Sequence, residues 1–275
     1  SASNYSVAKK VIENQFNVIY KQWQNEKFRM TKNLNNKEYD FFLFDHGQME
    51  VVIEQLEKHQ MMLIQMVQKK TTLENFEGMG EKINTTLEKL KVVNDVIKLW
   101  LKFQKNWEKL ETIFMKAEDI QKTLKEQYGK FKELDAKLKD EMKYAYDYNT
   151  MIDVCTPERK VTLVEMSVII AECEQALDNY LSDKKKLFPR FYFLSNDTLL
   201  NMLSYGDYPN IINKNVKDCF DGIKFWAMKE LDNKNFSNTV LGMLSADNDE
   251  EVMFDEVFIC TGLVESYLSK FEAKM

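Results

Sequence analysis

The side chains best equipped for chemistry are few, and their spacing is poor for it. His46 follows Asp45, the smallest pairing that serves general acid or base work, but no nucleophile stands near it in the chain. The other histidine, His59, sits in an apolar stripe with Val52 and Met66 and reads as a neutral imidazole bonded inside a helix interface. The carboxylate pairs Glu118-Asp119, Asp247 with Asp249, and Glu250-Glu251 have no histidine, nucleophile or calcium-binding loop around them, so helix-start charge and a solvated turn account for them. Cys155, Cys173, Cys219 and Cys260 are widely spaced without a C-x-x-C pair, which argues against zinc and for reduced, buried thiols. None of the 8 glycines builds a phosphate-cradling loop, and G-x-S-x-G is absent. The expectation is a segment that is not an enzyme and that has no catalytic, cofactor-binding or metal-ligating residues.

The elements that carry these residues follow from composition. A chain of 275 residues suits roughly two domains or one elongated helical assembly. With 8 Gly and 3 Pro it is too poorly punctuated for an all-β sandwich or a nucleotide-binding α/β domain. The net charge of -6 is concentrated in residues 244–275, where eight acidic residues meet two Lys. With no broad basic surface, nucleic acid and anionic membrane are not expected as partners. Apolar runs such as residues 41–44 are far short of the ~20 residues of a bilayer span, so a soluble chain is expected. The start lacks an initiator Met and a signal-peptide apolar region, which suggests a piece of something larger.

Periodicity then places the elements. Ile12, Phe16, Ile19 and Trp23 lie on one helical face, and residues 24–40 read as a loop or hinge closed by an apolar plug at residues 41–44. Met49, Leu56 and Leu63, with Val52, His59, Met66 and Leu73, form a heptad pattern on one long helix. Gly78 and Gly80 interrupt it and are the candidate bend. Val93, Val96, Trp100, Phe103, Trp107, Leu110 and Phe114 make an aromatic seam. A third helix is marked by Ile120, Leu124, Phe131, Leu134, Leu138 and Met142. A fourth, opened by Pro157 and closed before Pro189, carries Leu163, Met166, Ile170, Cys173, Leu177 and Tyr180. The run of residues 187–194 fits neither helix nor strand and is expected as a buried extended linker. Ser195 or Asn196 caps a short helix over residues 197–204, and another is centred on Ile212, Val216, Phe220 and Ile223. Residues 239–244 and 251–259 form a β-hairpin around a turn at 246–249, and a last helix follows Gly262. The fold class is mainly α, an elongated rod of antiparallel helix bundles with a small β-hairpin near the C-terminal end.

Three blocks of residues resemble the linker region of a dynein heavy chain. Trp100-Leu-Lys-Phe-Gln-Lys-Asn-Trp107, with Leu110-Glu-Thr-Ile-Phe114 and Ala117-Glu-Asp-Ile120, is similar to the family's W-x-x-x-Q-x-x-W-x-x-L-E-x-I-F and E-D-I pattern. Cys173-Glu-Gln-Ala-Leu177 and Lys184-Lys-Lys-Leu-Phe-Pro-Arg-Phe-Tyr-Phe-Leu-Ser195 resemble its F-P-R-F-Y-F signature, continued by Cys219-Phe-Asp-Gly-Ile223. Leu241-Gly-Met-Leu-Ser245 and Thr261-Gly-Leu-Val-Glu-Ser-Tyr-Leu268 are similar to a later hairpin and helix, in a form that leans towards axonemal, outer-arm chains. The resemblance spans residues 54–275. Thr86 and Lys125 depart from it, standing where members often have Trp and Pro.

The resemblance implies a mechanical linker that crosses a ring of AAA+ modules, bends with its nucleotide state and moves a tail-bound load along a microtubule, in the cytoplasm and in the axoneme of a cilium or flagellum. Its partners would be that ring, in the same heavy chain, and the upstream tail with its associated chains. ATP sites would lie downstream of residue 275. On this reading residues 1–48 are the end of the tail with a helix and hinge, 49–186 a long-helix bundle, and 187–275 the aromatic segment, short helices and hairpin. The structural residues would be Trp100, Trp107, Phe188, Pro189, Arg190, Phe191, Tyr192 and Phe193. Arginine occurs only at 29, 159 and 190, so its presence in the aromatic run suggests a fork-shaped donor that meets carbonyls or a carboxylate while stacking on a ring. The competing reading is a coiled-coil or spectrin-like scaffold or adaptor bundle without a motor role.

Overall fold

The computed structural model describes residues 2–32, 42–69, 78–232, 235–247 and 250–275. It is mainly α with a small antiparallel sheet, and it divides into two compact units, each assembled from two stretches of chain.

The first unit comprises Ser1–Glu108 and Lys130–Ile170. Helix α1 (Ala2–Asn25) buries the stripe Ile12, Phe16, Ile19 and Trp23. Strands β1 (Met30–Lys32) and β2 (Phe42–Phe44) pair antiparallel, Met30 opposite Phe44, within the segment expected to be loop and plug. Asp45 caps helix α2 (His46–Gln68), its carboxylate accepting the Gln48 N–H at 2.8 Å. The α2 stripe Met49, Val52, Leu56, Leu63 and Met66 is buried as its heptads require. Leu73, Phe41 and much of the expected hinge lie outside the described residues. The 38-residue helix α3 (Met79–Lys116) buries the seam from Val93 through Trp107. Gly78 precedes it at φ +75°, a backbone that favours glycine, whereas Gly80 lies in its first turn.

The expected third helix is two: α4 (Glu118–Thr123) and α5 (Lys125–Tyr148), parted at Leu124 although no proline is present. Asn149 ends α5 in the left-handed conformation at φ 59°, as asparagine tolerates. Chain returning there meets the end of α1: Phe28 N–H donates to Asn149 O at 2.9 Å, and Met151 N–H to Glu26 O at 2.9 Å. A single turn, α6 (Met151–Val154), leads to the 31-residue α7 (Pro157–Leu187), which opens on proline as predicted. Thr86 is buried, and its hydroxyl donates to the Lys82 carbonyl at 2.8 Å, so the departure from the family pattern leaves no unpaired polar group.

The second unit comprises Lys109–Gly129 and Ala171–Met275. The aromatic run is not extended. It forms a 3-10 turn, Pro189–Phe193, closed by Phe191 N–H to Phe188 O at 3.0 Å and Leu194 N–H to Phe191 O at 3.1 Å. Nor is it wholly buried: at three residues per turn, Phe188, Phe191 and Leu194 face inward while Leu187, Tyr192 and Phe193 are exposed. Ser195 caps α8 (Asn196–Ser204), accepting the Thr198 N–H. Helix α9 (Pro209–Cys219) stops before Ile223, which was expected on its face. Gly222, at φ +82°, turns the chain into a strand missed in the sequence, β3 (Ile223–Asp232). It joins the expected pair, β4 (Asn235–Ser245) and β5 (Glu251–Ile259), in an antiparallel sheet of order β3-β4-β5. A Cβ at Gly242 would collide with the Val252 carbonyl, so only glycine allows these strands to approach. Part of the expected 246–249 turn lies outside the described residues. Helix α10 (Val264–Lys274) packs Phe271 against Trp226, Phe254 and Phe258. Among the described residues no helix is long and apolar enough to cross a membrane.

Candidate functional site

The residues singled out in sequence belong to two nodes, Trp100 and Trp107 to the first unit, Phe188 to Phe193 to the second. In the first node, heptad spacing on α3 turns both indoles inward. Trp100 is fully buried, edge-on to Phe44 at 4.7 Å and to Phe28 at 6.1 Å. Arg159, from the start of α7, lies over its ring at 5.4 Å and over Tyr144 at 4.4 Å. The same guanidinium pairs with Glu141 and donates to the Val154 carbonyl at 2.9 Å, and burial lowers its pKa. Trp107 donates its indole N–H to Asp135 at 3.1 Å, and Lys139 pairs with the other oxygen of that buried carboxylate at 2.6 Å.

Between the two tryptophans lies a residue that is not among the expected site residues. Gln104 is fully buried; its carbonyl accepts the Phe44 N–H at 3.0 Å and its amide donates to the Phe44 carbonyl at 3.1 Å. One side-chain amide thus completes the hydrogen bonding of a strand residue. Asn213 repeats the device in the second unit, accepting the Trp226 N–H at 2.6 Å and donating to the Trp226 carbonyl at 3.2 Å. The available signal for Gln104 was its place as the polar member of W-x-x-x-Q-x-x-W.

The Asp45-His46 dipeptide does not form a catalytic pair. Asp45 is spent on the helix cap, while the His46 imidazole meets Glu108 at 3.0 Å. His59 accepts the Trp23 indole N–H on Nδ1 at 3.0 Å. Burial, and secondarily Lys58, lower its pKa below the ordinary 6.5. The unfolded chain therefore takes up a proton that the folded one resists. The expected result is full stability from this site above pH 6.5, declining as pH falls from there towards the depressed folded value and level below it. Urea midpoints across that range, compared between the native chain and His59→Gln, check this; a slope unchanged in the variant would contradict it.

In the second node Phe188 packs edge-on to Phe191 at 4.9 Å and against Phe220 at 6.1 Å. Arg190 spreads over three partners: Nε donates to Glu272 at 2.6 Å, a terminal nitrogen to the Cys219 carbonyl at 3.3 Å, and the plane lies 4.7 Å from the Phe220 ring centre. A lysine cannot make all three contacts. Arg190→Lys is expected to lower stability by about 1 kcal/mol, because the half-exposed Glu272 pair contributes little and the ring and carbonyl contacts supply the rest. An unchanged urea midpoint would show that the fork is dispensable.

Beside this node is a buried ionic cluster that periodicity does not reveal. Lys184 of α7 pairs with Glu265 of α10 at 2.6 Å and stands 3.8 Å from Asp119 of α4, whose carboxylate accepts the Tyr180 hydroxyl. Lys184 and Glu265 are 8% and 6% exposed, so both ions have left water. Burial, then the hydrogen bond and charge of Asp119, raise the Tyr180 pKa, which keeps its hydroxyl a donor. Burial also raises the thiols, Cys219 and Cys260 to about 12 and Cys155 further, so they pack as small apolar groups. Among the described residues no group of three or more His, Cys, Asp or Glu is arranged to hold a metal ion.

Aromatic rings, paired amides and buried ions tie the elements together within each unit of this mainly helical chain. The chain belongs to the dynein heavy chain family, residues 2–275 matching the region described as Dynein heavy chain, N-terminal region 2. The match begins well before residue 54, where the three blocks of resemblance begin. The chain is 32% identical over 227 residues to "Dynein beta chain, ciliary" of Tripneustes gratilla, covering 80% of this chain and 5% of that protein. It is 33% identical over 227 residues to "Dynein axonemal heavy chain 11" of Sus scrofa, covering 82% of this chain and 5% of the relative. With "Dynein beta chain, flagellar outer arm" of Chlamydomonas reinhardtii it shares 33% over 177 residues, 64% of this chain and 4% of the relative. The chain thus spans about one twentieth of the length of the relatives it matches.

Proposed function

We propose that this segment is the mechanical linker of an axonemal-type dynein heavy chain, a non-catalytic lever that passes nucleotide-driven changes of an AAA+ ring to the tail in ciliary or flagellar motility. The observation that carries the reading is the pair of long helices, 38 and 31 residues, without internal proline and without glycine beyond Gly80. Each is held at several points by buried contacts, and closely packed interiors transmit strain rather than absorb it. The names of the relatives support a ciliary or flagellar axoneme as the site of action. ATP hydrolysis and microtubule binding are assigned to the remainder of the heavy chain, and no cofactor to this segment.

The test is a heavy chain carrying one dye at exposed residue 161 and a second on the ring. The dye separation should differ between nucleotide states, and the isolated segment should not turn over ATP. A separation that stays constant through the cycle would overturn the reading.

A further inference from the structure

The second unit holds a cavity of about 350 Å³ between the end of α3, the start of α4, the loop from α8 to α9 and the first turn of α10. Small-molecule sites run from roughly 300 to 1,000 Å³, so the space is of ligand size. Its walls are fixed. The Tyr267 hydroxyl donates to the Gly206 carbonyl at 3.0 Å, and Gly206 packs so closely on α10 that a Cβ there would stand 2.6 Å from the Val264 Cγ2. The loop is therefore set before any ligand arrives, which lowers the ordering cost of binding.

The charged groups on the walls are of mainly one sign. Glu118, Asp119, Asp207 and Glu265 line the cavity against Lys116. Of the cations beside it, Lys184 is shared between Glu265 at 2.6 Å and Asp119 at 3.8 Å, and Lys122 meets Glu118 at 3.1 Å with both side chains largely in water, where the pair is screened. Two tyrosine hydroxyls register the carboxylates. Burial first, then the charges of Cys260, Asp207 and Glu265, raise the Tyr267 pKa; burial first, then the hydrogen bond and charge of Asp119 and the charge of Glu265, raise that of Tyr180.

A second observation on the same walls points to a ligand. Glu265 is 6% exposed; its Oε1 accepts from Lys184, while its Oε2 is equally buried and has no donor. A buried charged acceptor without a donor is strongly unfavourable. Among the described residues no group of carboxylates is arranged to hold a metal ion, so the donor that suits this oxygen is a cationic N–H group. Leu203, Leu263 and Val264 supply apolar wall for the stem that carries it.

We propose that this cavity binds a primary ammonium or guanidinium group on a short apolar stem, with Glu265 and Asp207 as its acceptors. The group belongs either to a free amine or guanidine or to a Lys or Arg side chain of another polypeptide. The site lies within the second unit and does not rest on the linker reading.

The experiment follows hydrogen exchange in the full heavy chain with millimolar butylguanidinium or its uncharged isostere, butylurea. Peptides covering residues 203–208 and 262–268 should exchange several-fold more slowly with butylguanidinium and at an unchanged rate with butylurea. Asp207→Asn should weaken the protection several-fold. Ser204→Phe, which fills the cavity without altering charge, should abolish it, and Glu251→Gln, an exposed carboxylate elsewhere, should leave it as it was. If Ser204→Phe loses its native circular dichroism, Asp207→Asn, at an exposed position, decides. A blocked Leu-Arg-Leu peptide separates the sources: tighter binding than butylguanidinium assigns the site to a protein side chain, weaker binding to a free small molecule. No protection, equal protection by butylurea, or protection that survives Asp207→Asn or a folded Ser204→Phe would each overturn the proposal.

Discussion

Lys184→Met is expected to destabilise the second unit by about 3–5 kcal/mol, among the largest effects available in the chain. The change is nearly isosteric, so the loss is not one of packing. It leaves Glu265, 6% exposed and with one carboxylate oxygen already lacking a hydrogen-bond partner, as a buried charge without a counter-ion. Asp119 offers no relief because it is itself an anion, bonded to Tyr180. The double variant Lys184→Met with Glu265→Leu should recover most of the loss, since an apolar pair of similar volume has no desolvation to offset. Hydrogen exchange of peptides from residues 264–274 under graded urea reads the effect locally, in the helix that carries Glu265. A loss below about 1 kcal/mol in the single variant would mean the pair behaves as a surface contact.

Trp100→Ala should be comparably severe in the first unit, at about 3–5 kcal/mol, because a fully buried indole is replaced by a cavity walled by Phe28, Phe44 and Arg159. Arg159 keeps Glu141 and the Val154 carbonyl, so the charge stays paired and the loss is mainly of apolar contact. Trp100→Phe should retain most of the stability: the smaller ring still meets Phe44, and the indole N–H it removes is buried without a partner. Tyr192→Ala, on the exposed face of the aromatic turn, should shift stability by less than about 0.5 kcal/mol. Exchange protection of peptides covering residues 42–50 distinguishes these cases; equal losses for Trp100→Ala and Tyr192→Ala would contradict the assignment of the first node.

How much of this was legible in the sequence depended on period. Steps of three and four placed α2, α3 and α7 and their buried faces, because a long amphipathic helix repeats its signal many times. The aromatic run is not extended because its inward residues, Phe188, Phe191 and Leu194, recur at three, the period of a 3-10 turn, which neither the helical nor the strand template reads. Ile223 followed Ile212, Val216 and Phe220 at helical spacing, and only the left-handed Gly222 shows that it begins β3. Polar groups that work inside the core were harder still. Gln104 and Asn213 look like ordinary surface amides until a strand is seen beside them. Lys184 left a trace: it continues the buried seam of Cys173, Leu177 and Tyr180 and precedes Phe188, yet within Lys184-Lys-Lys186 it reads as solvated charge at a helix end. Arg190 was legible from rarity, since a chain that otherwise uses lysine keeps arginine where a planar fork is needed.

If, as proposed, this segment bears load and does not remake bonds, removing its stiffness should uncouple hydrolysis from movement. Flexible Gly-Ser stretches inserted after Glu108 in α3, after Gly129 in α5 and after Ile170 in α7, the three places where the chain passes from one compact unit to the other, would interrupt every helix on which the stiffness rests. In the full heavy chain the load-bearing proposal requires that ATP turnover persist while microtubule gliding nearly stops. Gliding that keeps pace with ATP turnover in the inserted chain would contradict it.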